Sequence, residues 1–115
     1  MKRGDLYWAH LVPRSGSEQT GRRPVVIVSH DGFNQTPTWR SIIVVPVSTS
    51  EAQARRGPTV VALASGTAPL PRHSSALCHQ VTTLDRSKLS QQIGSLSEEL
   101  LKAIDEGLKA ALALD

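Results

Sequence analysis

From Leu6 to about Leu84 the chain is written in short β-branched runs broken by proline, glycine and polar loops, and only after Ser95 does the period change to that of a helix. One such change restricts the fold to a small β unit with a helix appended. Leu6–Val12 reads as a first strand, ended by Pro13, and Ser15–Gly21 as a polar loop. Pro24–Ser29 is a continuous β-branched run, as expected of a central strand. Pro24 fits only at its first position, because proline cannot donate to a ladder, which places Arg22 and Arg23 where the loop enters the sheet. Ser41–Val47 is the next strand; Pro46 near its end marks an edge or a bulge and leaves Ser48 and Thr49 at the exit. Glu51–Pro58 forms a loop carrying Arg55 and Arg56, Thr59–Leu63 a short strand, and Ser75–Val81 the last clear strand.

The helix is signalled by Leu100, Ile104, Leu108 and Leu112, with Leu101 and Ala111 widening the stripe. Ser97 is its natural N-cap, and Glu98 and Glu99 sit where the helix dipole favours anions. Gly107 weakens it by ~1 kcal/mol relative to alanine, so packing must hold it. The expected architecture is mainly β: a small, twisted, partly closed barrel with a helix on its side, formed as a single domain over residues 1–115.

Composition narrows the function. A chain of 115 residues is too short for two domains with independent cores. Aromatics make up 3% (Tyr7, Trp8, Phe33 and Trp39), so the core is aliphatic and a row of base-stacking aromatics is excluded. No apolar run is long enough for a membrane helix, and no apolar segment follows the basic start, so a cytoplasmic protein is expected. The single Cys78 excludes an internal disulfide framework and a cysteine-based zinc site. The net charge of +3 is uneven: residues 1–60 carry eight basic and four acidic side chains, the remainder five and six. Nine of the thirteen cations are arginine, the side chain suited to bidentate phosphate binding.

The chemistry concentrates at the junction of the first loop and the second strand. Glu18, Gln19, Arg22 and Arg23 lie together there, where an arginine can stabilise the charge of a phosphorane while a carboxylate moves a proton. Ser48 and Thr49 offer hydroxyls, and His79 can titrate near neutrality. His10, His30 and His73 lack ligand spacing with it, so no metal site is expected. There is no Gly-x-Ser-x-Gly elbow, P-loop or dinucleotide fingerprint.

Arg3-Gly4-Asp5-Leu6-Tyr7-Trp8, Gly16–Gln19 and Gly21–Val28 resemble the opening of the MazF/PemK family. Asp31 and Asn34, Val44–Thr49, Ala76–Gln80, Thr83–Asp85 and Ile93–Leu100 continue the likeness in order, nearly end to end. The resemblance implies a toxin of a bacterial type II toxin–antitoxin pair: a metal-independent endoribonuclease of single-stranded RNA, without cofactor, on an SH3-like barrel with a C-terminal helix. It also implies a homodimer and a small antitoxin partner, whose inhibitory segment we expect to be disordered and acidic. Residue by residue, the family's glutamate falls on Glu18, its arginine on Arg23 and its strand-exit hydroxyl on Ser48, where threonine is usual. His79 replaces an acidic residue and Thr82 a basic one. The expected catalytic set is Glu18, Arg23, Ser48 and His79, with Gln19, Arg22, Asn34, Thr49 and Gln80 contacting RNA. The alternatives are a gyrase-binding toxin of the CcdB type, which needs no phosphate clamp, and a degenerate member that keeps only the antitoxin groove.

Overall fold

The computed structural model describes residues 1–12, 21–55, 57–64, 66, 67, 69, 70 and 72–115. The strands are β1 (Asp5–Leu11), β2 (Gly21–Ile27), β3 (Ser41–Ser48), β4 (Val60–Leu63), β5 (Ser74–Leu77), β6 (Thr82–Asp85) and β7 (Leu89–Ser95). Helices α1 (Asp31–Asn34) and α2 (Glu51–Ala54) are single turns flanking β3, and α3 (Glu98–Leu112) closes the chain. The strands pair in the order β4-β5-β3-β2-β1-β7, with β6 also on β3, and neighbouring strands among the described residues run antiparallel.

Side-chain alternation along β2 and β3 builds two cores, one on each face of the sheet. Val26, Val45 and Val47 pack with Leu6, Ala76, Cys78 and Ile104 of α3. Val25, Ile27, Ile42 and Val44 pack with Ala9 and Leu11 on the opposite face, where Leu84 and Leu89 lie against them. β6 and β7 are the two ends of the five-strand run β7-β1-β2-β3-β6, yet only the 3-10 turn Arg86–Lys88 separates them in the chain. The run therefore curls until its ends meet through the backbone rather than through hydrogen bonds, the partly closed barrel expected from sequence. In α3, Ser97 Oγ accepts the Leu100 N–H at 3.2 Å, confirming the cap.

Three expectations need correction. Pro24 lies inside β2, opposite Trp8. It is tolerated because the β2–β3 ladder begins only at Val25, so no partner strand requires its missing N–H on that side. The segment read as the last strand ends at Leu77, and Cys78–Gln80 is a 3-10 turn. β7 was not anticipated; it is an edge strand of mostly polar residues, with only Leu89 and Ile93 as apolar contacts.

Pro46 explains that 3-10 turn. Val28 N–H bonds Ile43 O at 2.9 Å, and alternation along the ladder then turns the nitrogen of Pro46 away from β2. On that outer edge β3 pairs with β5 at Val47–Ala76 and with β6 at Val44–Thr82. Three steps along β3 thus face six along its partner, and the surplus is the turn carrying His79 and Gln80. Of the edge or bulge expected at Pro46, the structure shows an interruption of the outer edge, where the partner of β3 changes from β6 to β5.

Candidate active site

β2 begins at Gly21, whose φ of +79° is a left-handed backbone conformation that favours glycine. Arg22 and Arg23 follow at once, in register with His10 and Ala9 of β1 and pointing to opposite faces. The β2–β3 register runs Ile27–Val44, Val26–Val45, Val25–Pro46. Continued by two residues, it sets Arg23 opposite Ser48 on one face. Arg23 is exposed and Ser48 is buried, and both lie just beyond the last paired residues of the β2–β3 ladder, at the end of the sheet where the first loop enters.

Ser48 Oγ accepts the Ser50 N–H at 3.1 Å, fixing the side chain while leaving its own proton to donate. Ser50 in turn caps α2, its hydroxyl accepting the Gln53 N–H at 3.3 Å. Thr49 is exposed beside them. The Arg22 guanidinium lies 4.2 Å above the centre of the Trp8 ring, a contact between cation and π face that holds the side chain flat against β1.

His79 and Gln80 sit half-buried on the 3-10 turn. His79 Nδ1 is 2.9 Å from Thr59 Oγ1, and Nε2 is enclosed. Behind the turn, burial pushes the Cys78 thiol up to about 11, with Asp105 adding in the same direction. A Cβ on Gly107 of α3 would meet Cys78 Sγ at 2.7 Å. Gly107 is therefore the point where α3 closes on the turn, a function that its low helix propensity alone does not reveal.

Asn34 lies elsewhere, at the opposite end of β2 and β3, and is 2% exposed. Its amide donates to Ser29 O at 2.7 Å and Asp31 Oδ1 at 3.1 Å, and its oxygen accepts the Ser29 hydroxyl. The side chain is spent on shaping the α1 turn and is not brought to Arg23 and Ser48. Glu18 and Gln19 lie outside the described residues, as do the loop arginines Arg14 and Arg56. Among the described residues there is no cluster of three or more metal-ligating side chains, and no helix is long and apolar enough to cross a membrane.

Residues 2–112 match the family of PemK-like, MazF-like toxins of type II toxin–antitoxin systems. The chain belongs to that family. It is 36% identical over 115 residues to the endoribonuclease EndoA of Bacillus subtilis (strain 168), spanning 99% of this chain and 96% of that protein. The crystal structure of MazF from Deinococcus radiodurans superposes with a TM-score of 0.79 at 26% identity, covering 99% of this chain and 97% of that one. A mycobacterial endoribonuclease, solved with its cognate antitoxin, gives a TM-score of 0.78 at 23% identity and covers 100% and 97% of the two chains. These likenesses confirm the barrel-and-helix architecture, and they do not favour the gyrase-binding alternative.

Proposed function

We propose that the endoribonuclease chemistry of this toxin is centred on Arg23 and Ser48 and acts on single-stranded RNA. The observation that supports it most is the shared face of an exposed arginine and a buried, oriented hydroxyl at one sheet end. The ribose 2′-OH attacks the adjacent phosphate, the 5′ oxygen leaves, and the products carry a 2′,3′-cyclic phosphate and a 5′-OH. Arg23 clamps the phosphate and stabilises its developing charge. Ser48, held by the Ser50 N–H, donates to a phosphate oxygen. Arginine stays protonated and is a poor base, so proton transfer falls to Glu18. His79 is the second candidate for it, and its ring must first leave Thr59. Gln19, Arg22, Thr49 and Gln80 contact the RNA around the cut. Asn34 acts at a distance by shaping its turn. The reaction needs no cofactor and takes place in the cytoplasm.

The protein acts as a homodimer, a reading supported by exposed apolar side chains away from the site, Ile43 (39%), Leu112 (54%) and Leu114 (59%). Its inhibitor is a small antitoxin with a disordered acidic segment, drawn to the basic residues 1–60 and competing with RNA there. Solved MazE–MazF complexes from Deinococcus radiodurans support a partner of this kind.

The test is cleavage of a mixed-sequence RNA in EDTA by the wild type and by Arg23→Ala. The substitution is expected to lower the rate by about two to three decades, the loss of ~3–4 kcal/mol of charge stabilisation, with thermal stability unchanged. Wild-type rates from folded Arg23→Ala protein would overturn the assignment.

A further inference from the structure

Two of the four aromatic side chains stand apart from both cores and from Arg23 and Ser48. Phe33 and Trp39 are stacked with ring centres 4.5 Å apart and planes 17° from parallel, yet they are 43% and 44% exposed. His30 meets Phe33 edge-on at 6.1 Å. Phe33 thus has ring neighbours on two sides, and the indole of Trp39 is the outer end of the stack.

The loop bearing this pair is held rigidly. The Arg86 guanidinium donates to the carbonyl oxygens of Trp39 (2.9 Å), Asn34 (3.1 Å), Phe33 (3.0 Å) and Thr36 (3.0 Å). Its backbone N–H donates to Arg40 O at 2.7 Å. Trp39 Nε1–H is directed to Ser41 O at 2.8 Å, which fixes the indole plane. Rings so exposed gain little from burial, so core packing does not account for this scaffolding. What it achieves is a flat π surface held in one orientation before anything binds.

The surroundings are basic. Arg86's acceptors in the loop are neutral carbonyls, which leave its charge uncompensated. Arg40 pairs with Asp85 at 3.0 Å, and Lys88 is exposed. Among Asp31, Arg40, Asp85, Arg86 and Lys88, three cations stand with two carboxylates, and Asp31 is turned to Asn34 and the Arg3 N–H. A planar apolar face whose loop is held by one arginine and flanked in the chain by another suits a nucleobase and its phosphate, since base–aromatic stacking needs only a π face and tolerates any base. An acidic or aliphatic peptide would use the charge without the planarity. β3 runs from Ser41, beside the stack, to Ser48, about 23 Å away at ~3.3 Å per residue.

We infer that the Phe33–Trp39 stack is a nucleobase-stacking subsite for the RNA substrate, holding a base beyond the nucleotides that flank the cut. This rests on the endoribonuclease reading. The experiment uses the full-length protein with Arg23→Ala, to prevent turnover, and Trp8→Phe, to leave Trp39 as the only indole. Binding of fluorescein-labelled, mixed-sequence single-stranded RNA 20-mers and 5-mers is measured by the anisotropy of the label in every variant, and by tryptophan fluorescence where Trp39 is present. The 20-mer is expected to quench Trp39. Trp39→Leu, which keeps an apolar side chain but removes the π face, is expected to weaken 20-mer binding about ten-fold, leave the 5-mer unchanged, and leave the melting temperature and sedimentation unchanged; Trp39→Phe restores binding. Equal 20-mer affinity for the folded leucine variant would overturn the subsite. So would a selective loss of antitoxin binding or of the dimer, each of which assigns the rings to a protein contact. Wild-type cleavage of the same 20-mer pool is the control: its absence would remove the endoribonuclease reading itself, whereas cleavage without stacking removes only the subsite.

Discussion

The two ends of β3 are secured in opposite ways. At the Ser48 end, the 3-10 turn bearing His79 and Gln80 is backed by an apolar close approach, Cys78 against Gly107 of α3. At the Ser41 end, the loop bearing Phe33 and Trp39 is tied by polar groups: Arg86 to four carbonyls, Asn34 to its own turn, Arg40 to Asp85. The apolar anchor depends on shape and is indifferent to salt. The polar clamp depends on charge and direction, and it fixes a surface loop that has no core to lean on. One fold therefore positions two turns by different physics, and each should fail under different stress.

The largest effect is expected from filling the apolar seam. Gly107→Val places branched carbons where a single Cβ would already meet Cys78 Sγ at 2.7 Å, and should cost ~3 kcal/mol as overpacking, read as a lower urea midpoint. Gly107→Ala sharpens the point. Its gain in helix propensity of ~1 kcal/mol should be lost to the clash in the wild type and recovered in a Cys78→Ala background. A stabilised Gly107→Ala protein with Cys78 intact would break the comparison at this end.

Next in size is the polar clamp. Arg86→Ala removes four charge-assisted bonds from a partly exposed loop and should cost ~2 kcal/mol, with faster amide exchange at residues 33–40. Cleavage of a short RNA at Arg23 should be unaltered. Loss of short-RNA cleavage would show that the two ends are coupled.

Ser48→Ala should lower kcat/KM about ten-fold, ~1.4 kcal/mol, without a change in stability, while Ser48→Thr keeps the hydroxyl and the rate. Equal losses in both variants would point to packing rather than to the hydroxyl.

The smallest effect is the pH signature. The Arg3 N–H and the Asn34 amide hold the Asp31 carboxyl below its ordinary range, and Arg40 and Ser87 do the same for Asp85. Their folded values are depressed, so their contribution is present above ~4 and is lost as the pH falls through the folded values. The Cys78 thiol is raised instead, from 9.0 to about 11. Its contribution is complete below 9.0 and is lost as the pH rises toward 11. The Ser41 end should therefore loosen in acid and the Ser48 end in alkali. Urea midpoints across pH for wild type, Asp85→Asn and Cys78→Ala check this; an alkaline slope that survives Cys78→Ala would contradict it.

Much of this was legible in the sequence because local physics and tertiary structure agree. The run from Val25 to Val28 is buried on both faces, Ser97 caps α3, and Pro46 marks the place where an edge breaks. What was not legible depended on contacts far along the chain. β7 carries Leu89 and Ile93 among polar neighbours and is a strand only because β1 offers its edge. Gly107 reads as a helix defect until Cys78 is brought against it from 29 residues away. Asn34 matches the family's pattern, yet its side chain is bonded to Ser29 and Asp31 of its own turn at the end of β3 opposite Ser48, a use that the matching position alone does not reveal. The pairing of Phe33 with Trp39 gave no periodic signal, being set by a guanidinium from residue 86.

The central claim is RNA cleavage by 2′-OH attack at the Arg23–Ser48 end of the sheet. It is tested most directly by the fate of one oxygen. Once a preferred cut position is mapped on a mixed RNA, the same oligonucleotide is made with a single 2′-deoxy nucleotide on the 5′ side of that bond and incubated with the protein in EDTA. The account predicts a 2′,3′-cyclic phosphate and a 5′-OH from the all-ribose strand and no cut at that bond in the substituted one. Cleavage of the deoxy-substituted bond, or products ending in 3′-OH and 5′-phosphate, would contradict it.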